Sequence, residues 1–492
     1  MQQFLEQIDS VRLKVSSKTD PKRKSELGQF MTPSTIARFM ASLFTNVNIQ
    51  NARLLDPGAG VGSLSCAFLE RWATRGFTFE SVEVVASELD HKLHDHLSAS
   101  LGVYKDKLPL DVKVLKGDFI EQAINMIQSE GEMRFTHAIL NPPYKKMNSN
   151  SRHRLLLRQV GIETVNLYSA FVALTLALME QGGQLVAIIP RSFCNGPYFR
   201  PFRQYIFERS AIKHIHLFGA RNKAFKDESV LQENVIILLE CGAQQGEVTI
   251  STSTDDSFTD YQAYLHPFNR VVLPNDQEFF IHIPTSLERN PIDISSNINY
   301  SLQDLGIDLS TGPVVDFRVK EHLRDMPEPG AVPLLYPMHF VGQLTEWPKP
   351  GMKKPNAIML NPKTEKWLYK NGFYTVVRRF SSKEEKRRVV AGVVNPAYFD
   401  YPLLGFENHL NVFHCKKQGL PEELAYGLFV YLNSTVVDEY FRIFNGHTQV
   451  NATDLRNLKY PSRETLIELG KWVRAYETIS QQDIDQKLEE IL

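Results

Sequence analysis

The sequence predicts an α/β fold, a mixed and mainly parallel seven-stranded sheet, followed by a C-terminal α+β region. Three observations predict it. Up to about residue 245, apolar strand-like runs alternate with helix-like runs, the pattern of a parallel sheet covered on both faces. Several of the strand-like runs end in a glycine turn or an acid, which marks one edge of the sheet as the ligand edge. After about residue 245 the segments shorten, Pro, Asn and aromatic residues increase, and helical periodicity weakens.

The strand candidates are ARLLDPG, SVEVVASEL, VKVLKGD, FTHAILNPP, QLVAIIP, IKHIHLF and ENVIILLE. Little helix separates the last two, so an antiparallel edge is expected there. TPSTIARFMASLF and LYSAFVALTLALMEQ read as helices between strands. TSLERNPIDISSNIN reads as a polar connection. The expected domains are a basic arm or helix at 1–26, a catalytic domain at 27–290 and a second domain at 291–492 that ends in helices.

Net charge is −1, so composition alone does not mark a nucleic-acid binder, and local clusters must decide. One cluster is Arg12, Lys14, Lys18, Lys22, Arg23 and Lys24; another is Arg378, Arg379, Lys383, Lys386, Arg387 and Arg388. Either run alone reads as a solvated face. Cys66, Cys194, Cys241 and Cys415 have neither metal-ligand nor redox spacing, as expected of reduced thiols in a cytoplasmic protein with no metal. No apolar run reaches the length of a bilayer span, and no signal core opens the chain.

LLDPGAGVGSLS is a strand, a glycine turn and a helix start. Gly58, Gly60 and Gly62 let backbone approach a nucleotide-like ligand, and the absence of Gly-Lys-Ser/Thr argues against a P-loop. Asp56 and Pro57 end that strand, and Asp56 is expected to accept from a cationic amino group or, through water, from the ligand. Glu88, followed by Leu89, is placed to chelate ribose hydroxyls. Asp118 is placed to accept from an adenine amino group, and Phe119 to pack on its ring.

The fourth strand candidate ends in Asn141, Pro142, Pro143 and Tyr144. The prolines stiffen the backbone and stop the strand. The Asn141 side chain and the Pro142 carbonyl offer two fixed acceptors for one amino group. Holding both N–H bonds directs the nitrogen lone pair at a methyl donor. Tyr144 offers a flat face to a base taken out of a helix.

These motifs, with LGQFMTPSTIARFM upstream, resemble the gamma group of amino DNA methyltransferases, the TaqI-like and PstI/BsuBI-like modification enzymes. Gly28, Phe30, Thr32 and Pro33 fall on the hallmark positions of the upstream motif, which in that family helps close the methionine end of the cofactor site. From the residues alone, Thr32 suits a helix N-cap and Pro33 the first turn. The resemblance implies a Rossmann-like class I methyltransferase fold and S-adenosylmethionine as cofactor. It implies N6-methylation of adenine in double-stranded DNA by a monomeric, cytoplasmic prokaryotic enzyme, the modification component of a restriction-modification or related defence system with any restriction endonuclease separately encoded. It assigns Phe225 to the second face of the flipped base. The region past residue 300 resembles a target-recognition domain. There Arg378, Arg379, Lys383, Arg387 and Arg388 are expected at phosphates or groove, and Asn445, His447, Gln449 and Asn451 at base edges.

Competing readings are the same fold acting on RNA, on a protein glutamine or on cytosine N4, and a DNA-specificity protein with an inert methyltransferase half. Asn141, where cytosine enzymes usually carry serine, favours adenine. A fused nuclease is not expected, because only about 26 residues precede the first motif.

Overall fold

The computed structural model describes residues 2–20, 23, 30–45, 49–129, 134–219, 233–274, 276–341 and 344–491. The chain divides into two compact units, Met1–Leu287 and Glu288–Leu492.

The first unit is built on one sheet. Its strands are β1 (Asn51–Pro57), β2 (Ser81–Glu88), β3 (Leu110–Lys116), β4 (Phe135–Leu140), β5 (Met179–Pro190), β6 (Ser210–Phe218), β7 (Asn234–Cys241), β8 (Val248–Ser253) and β9 (Gln262–His266). Their order is β3-β2-β1-β4-β5-β7-β6-β8-β9. The pairs β1–β2, β2–β3, β1–β4 and β4–β5 are parallel, whereas β7 runs antiparallel between β5 and β6. The order reverses between β1 and β4, and such a switch point opens a crevice at the strand carboxyl ends.

The sheet has nine strands, which corrects the expected seven. VTISTS and QAYLH form β8 and β9, a hairpin that extends the β6 edge. Both are short and carry polar residues on one face, so neither shows the apolar run that exposes the central strands.

Strand alternation divides the side chains between two cores. Leu55, Val85, Leu140, Ala187 and Ile237 face one, Leu54, Val84, Ile139, Ile188 and Ile236 the other. Helices α1 (Gln2–Lys18), α2 (Ser34–Ser42), α3 (Ser63–Ala73) and α4 (His94–Lys105) supply the second core. Helices α5 (Phe119–Gln128), α6 (Arg152–Gln159), α7 (Leu167–Leu178) and α8 (Arg200–Arg209) supply the first. Helix α1 is built into this unit: Leu5 and Ile8 are buried, and Asp9 Oδ1 accepts from the Ser34 N–H at 3.1 Å. Its Arg12 is buried and donates to Asp9 at 2.7 Å, which removes it from any solvated face.

The second unit is α+β. A four-stranded antiparallel sheet joins Asp308–Thr311, Leu410–His414, Tyr374–Arg378 and Ala391–Val394 in that order. A five-stranded sheet is centred on Ala331–Leu335. Helices Glu422–Leu432, Thr435–Phe444, Arg463–Val473 and Gln481–Glu489 complete it. The first and third of these pack so closely that a Cβ at Gly427 would lie 1.8 Å from the Leu466 carbonyl oxygen. Among the described residues no helix is long and apolar enough to cross a membrane.

Candidate active site

The carboxyl ends of β1, β2, β3 and β4 surround a cavity of about 270 Å³. Its walls bring together Phe30, Thr32, Gly58, Gly60, Glu88, Leu89, Asp118, Phe119, Asn141 and Pro143, all singled out in the sequence. Gly58 and Gly60 have φ of +77° and +59°, the left-handed region open to glycine. A Cβ at Gly60 would meet nothing within 4 Å, so backbone conformation and not crowding requires glycine, and the space above stays clear.

Glu88 ties this turn to β2. One carboxylate oxygen accepts from the Gly60 N–H and the other from the Asp90 N–H, both at 2.7 Å. Burial raises its pKa, and the two backbone donors oppose that rise. Each oxygen keeps a second acceptor position for a ligand hydroxyl. Leu89 beside it is 55% exposed at the rim.

Asp118 caps α5. Its Oδ1 accepts from the backbone of Ile120 at 2.8 Å and Glu121 at 3.3 Å, and its Oδ2 pairs with His153 Nε2 at 2.8 Å. Burial raises the carboxyl pKa, but the His153 hydrogen bond and charge outweigh it and hold the net value low. The same bond holds the imidazole pKa up. Phe119 packs on Phe171 with ring centroids 4.9 Å apart. His153, a cavity residue on α6, was missed in the sequence. Only the packing of α6 against α5 reveals it, and no spacing rule encodes that return.

Asn141 is held from the upstream motif. Its Nδ2 donates to the Phe30 carbonyl at 2.7 Å and to Thr32 Oγ1 at 3.0 Å. Both amide hydrogens are thereby used, which fixes Oδ1 as the remaining acceptor. Thr32 therefore serves the site and not a helix: the N-cap of α2 is Pro33, and no side chain caps it. The Tyr144 hydroxyl lies 3.0 Å from Asn141 Oδ1 and 3.2 Å from the Ile188 carbonyl. The Tyr144 ring neighbours Phe30 at 5.8 Å and Tyr168 at 6.3 Å. Pro142 is buried under the loop.

Asp56 and Pro57 are buried and are not part of the cavity wall. Asp56 Oδ2 instead accepts from the Ser65 hydroxyl at 2.6 Å and the Ser65 N–H at 3.2 Å, anchoring the start of α3. Its Oδ1 has no partner among the described residues. Burial pushes its pKa up to about 7, against the lowering by Ser65. Gly28 and Phe225 lie outside the described residues.

In the second unit the two segments expected at DNA are woven together. Arg388 is only 2% exposed and reaches Ser381 Oγ at 3.1 Å, Asn445 Oδ1 at 2.7 Å and the His447 carbonyl at 2.5 Å. Asn445, 1% exposed, also donates to the Gln449 carbonyl and to Asp454. Arg387 donates to Gln481 Oε1 at 2.5 Å and the Ser434 carbonyl at 2.7 Å, and burial lowers its pKa. Asn451 is the N-cap of Ala452–Arg456, with its backbone N–H and side-chain amide both on Asp454. These residues hold the loop together; Arg388 and Asn445 are spent in the interior and not presented to phosphates or bases, while Arg387 and Asn451 keep partial exposure. Arg378 pairs with Glu385, and the half-buried Lys383 lends its carbonyl to Arg442 at 2.8 Å. Arg379 donates to the Asn408 carbonyl at 3.2 Å and to Gln449 Oε1 at 3.5 Å. Of the set, Arg388 and Asn445 are buried, and Arg378, Arg379, Lys383, Arg387, His447, Gln449 and Asn451 retain partial exposure.

The family described as Eco57I restriction-modification methylase matches residues 38–225. The type II methyltransferase M.BsuBI of Bacillus subtilis is 57% identical over 100% of this chain and 99% of its own length. The type II methyltransferase M.PstI of Providencia stuartii is 41% identical over 95% of this chain and 93% of its own. Among solved structures, the DrdV–DNA complex is similar in fold, with a TM-score of 0.55 at 12% identity, covering 96% of this chain and 59% of that one. At such identity to two relatives along nearly the whole length, the chain belongs to the type II restriction-modification methyltransferases.

Proposed function

We propose that this chain transfers a methyl group from S-adenosylmethionine to the N6 amine of an adenine in double-stranded DNA. It does so as the modification partner of a separately encoded restriction endonuclease. The observation that carries the reading is the Asn141 amide, whose Nδ2 is held by Phe30 and Thr32 at the wall of a cavity also lined by Glu88 and Asp118.

The residues present fit the cofactor. The glycine turn offers open backbone, Glu88 has acceptor positions for the ribose, Asp118 an acceptor for the adenine amine, and Phe119 an apolar face. When bound, S-adenosylmethionine supplies an electrophilic methyl on a sulfonium. The chain's task is then to orient a weakly basic amine. Asn141 Oδ1 and the Pro142 carbonyl accept its two hydrogens, and the lone pair is left to point at the methyl.

Tyr144 makes that acceptor available. A phenol has one hydrogen, and here two acceptors compete for it, Asn141 Oδ1 and the Ile188 carbonyl. When the amine arrives, the Tyr144 hydroxyl turns to Ile188 and stays satisfied, so Oδ1 is released without stranding a buried donor. The amine lies inside the duplex, so the base must be extruded into the site, at a cost of a few kcal/mol.

The test is expression in a methylation-free bacterial host, followed by sequencing that distinguishes N6-methyladenine from N4-methylcytosine. One motif carrying N6-methyladenine is expected. Asn141→Ala should lower turnover by about 100-fold or more while changing cofactor affinity little. N4-methylcytosine, or no modified base at all, would overturn the reading.

A further inference from the structure

Of the residues expected at base edges, Asn445 is buried and Asn451 is spent on Asp454, yet the turn beside them presents others. Glu407 is 0% exposed, and its carboxylate is spent on one residue. It accepts from the His409 N–H at 2.9 Å, and the His409 Nδ1 lies 2.6 Å from one of its oxygens. A buried carboxylate is costly unless paired, so the arrangement must serve something. Closing the turn needs only the backbone bond. The imidazole remains 40% exposed, with Nδ1 engaged and Nε2 as its other polar atom.

Next to it stands Phe380, a large apolar side chain that is 40% exposed, its ring 4.9 Å from that of His409. The Arg379 guanidinium lies 5.9 Å from the Phe380 ring. Three stretches of chain fix the group. The Arg379 N–H donates to the His409 carbonyl at 2.8 Å, the Val450 N–H to the Arg379 carbonyl at 2.7 Å, and the Ser381 N–H to the Thr448 carbonyl at 3.0 Å. Beneath them Arg388 locks the 445–447 turn. An exposed aromatic, an oriented imidazole and a guanidinium on a braced turn suit recognition better than packing.

We propose that Arg379, Phe380 and His409 form a base-reading tip that addresses base edges in the major groove of duplex DNA. This rests on the proposed function above. The guanidinium and imidazole hydrogen-bond to base-edge N and O atoms, and the Phe380 ring makes apolar contact of the kind a thymine methyl offers. Glu407 is the positioning residue, acting through His409. The buried amide of Asn445 and the half-buried amide of Asn451 keep the tip in shape.

The experiment compares the methylated motif of wild type with those of Phe380→Ala and His409→Ala in the methylation-free host. Phe380→Ala strands no buried charge, so it tests the tip even where His409→Ala destabilises the turn by leaving Glu407 unpaired. Wild type should mark one motif. Each variant should mark a relaxed motif, with methylation of sites differing at one position rising about tenfold relative to the parent motif. An unchanged motif at full or uniformly lowered occupancy in Phe380→Ala would overturn the tip and leave the methyltransferase reading standing. No modified base in wild type would overturn that reading, and the tip with it.

Discussion

At single residues, the site is governed by what each polar atom has already spent. Asn141 spends both amide hydrogens upstream, and its oxygen accepts from the Tyr144 hydroxyl. Asp118 spends one oxygen on the α5 backbone and shares the other with His153. Asp56 is the opposite case, a buried carboxyl with an unpartnered Oδ1. Desolvation is the largest cause that lifts it from 3.8 to about 7, so in that interval the folded chain holds a proton that the unfolded chain releases. Its contribution to stability is complete below about pH 4 and is lost as pH rises through about 7, on the order of 4 kcal/mol in all. Asp56→Asn should flatten that part of the pH–stability profile. Denaturant midpoints at pH 4.5 and 8 check it, and parallel profiles for wild type and variant would refute it.

At the scale of elements, the segment 378–388 shows how a charge run is sorted by folding. Its six basic residues look alike in sequence, but the fold gives them different tasks. Arg388 and Arg387 turn inward as pins between strand, loop and helix, while Lys386 stays exposed. Arg388→Met should destabilise the second unit by roughly 3 kcal/mol, because it removes the buried guanidinium bonds to Ser381, Asn445 and the His447 carbonyl. Lys386→Ala should leave stability unchanged and reduce the slope of log DNA affinity against log salt by about one. Thermal unfolding and binding titrations at several salt concentrations separate the two. Equal salt slopes for wild type and Lys386→Ala would return that lysine to a solvated face.

At the scale of the whole molecule, the chain divides into two compact units, and the cavity is lined by residues of the first alone. S-adenosylhomocysteine at about 100 times its dissociation constant should stabilise Met1–Leu287 by about 2.7 kcal/mol. In calorimetry one unfolding transition should move up and the other stay in place. A common shift of both would mean that the chain unfolds as one cooperative body.

The sequence by itself determined the α/β layering of the first unit and most of its cavity wall. The reason is geometric: parallel strands read as apolar runs, and their carboxyl ends must share one edge, so Gly60, Glu88, Asp118 and Asn141 fall together along it. Only the tertiary structure decided the rest. β8 and β9 escaped because short half-polar strands carry little periodic signal. The His153–Asp118 pair, the turn of Thr32 toward Asn141 and the burial of Arg388 and Asn445 join residues from 35 to 109 positions apart. Composition marks such residues only as polar. Whether a polar side chain meets water, DNA or another side chain depends on which chain segment folds over it, and no local pattern carries that information.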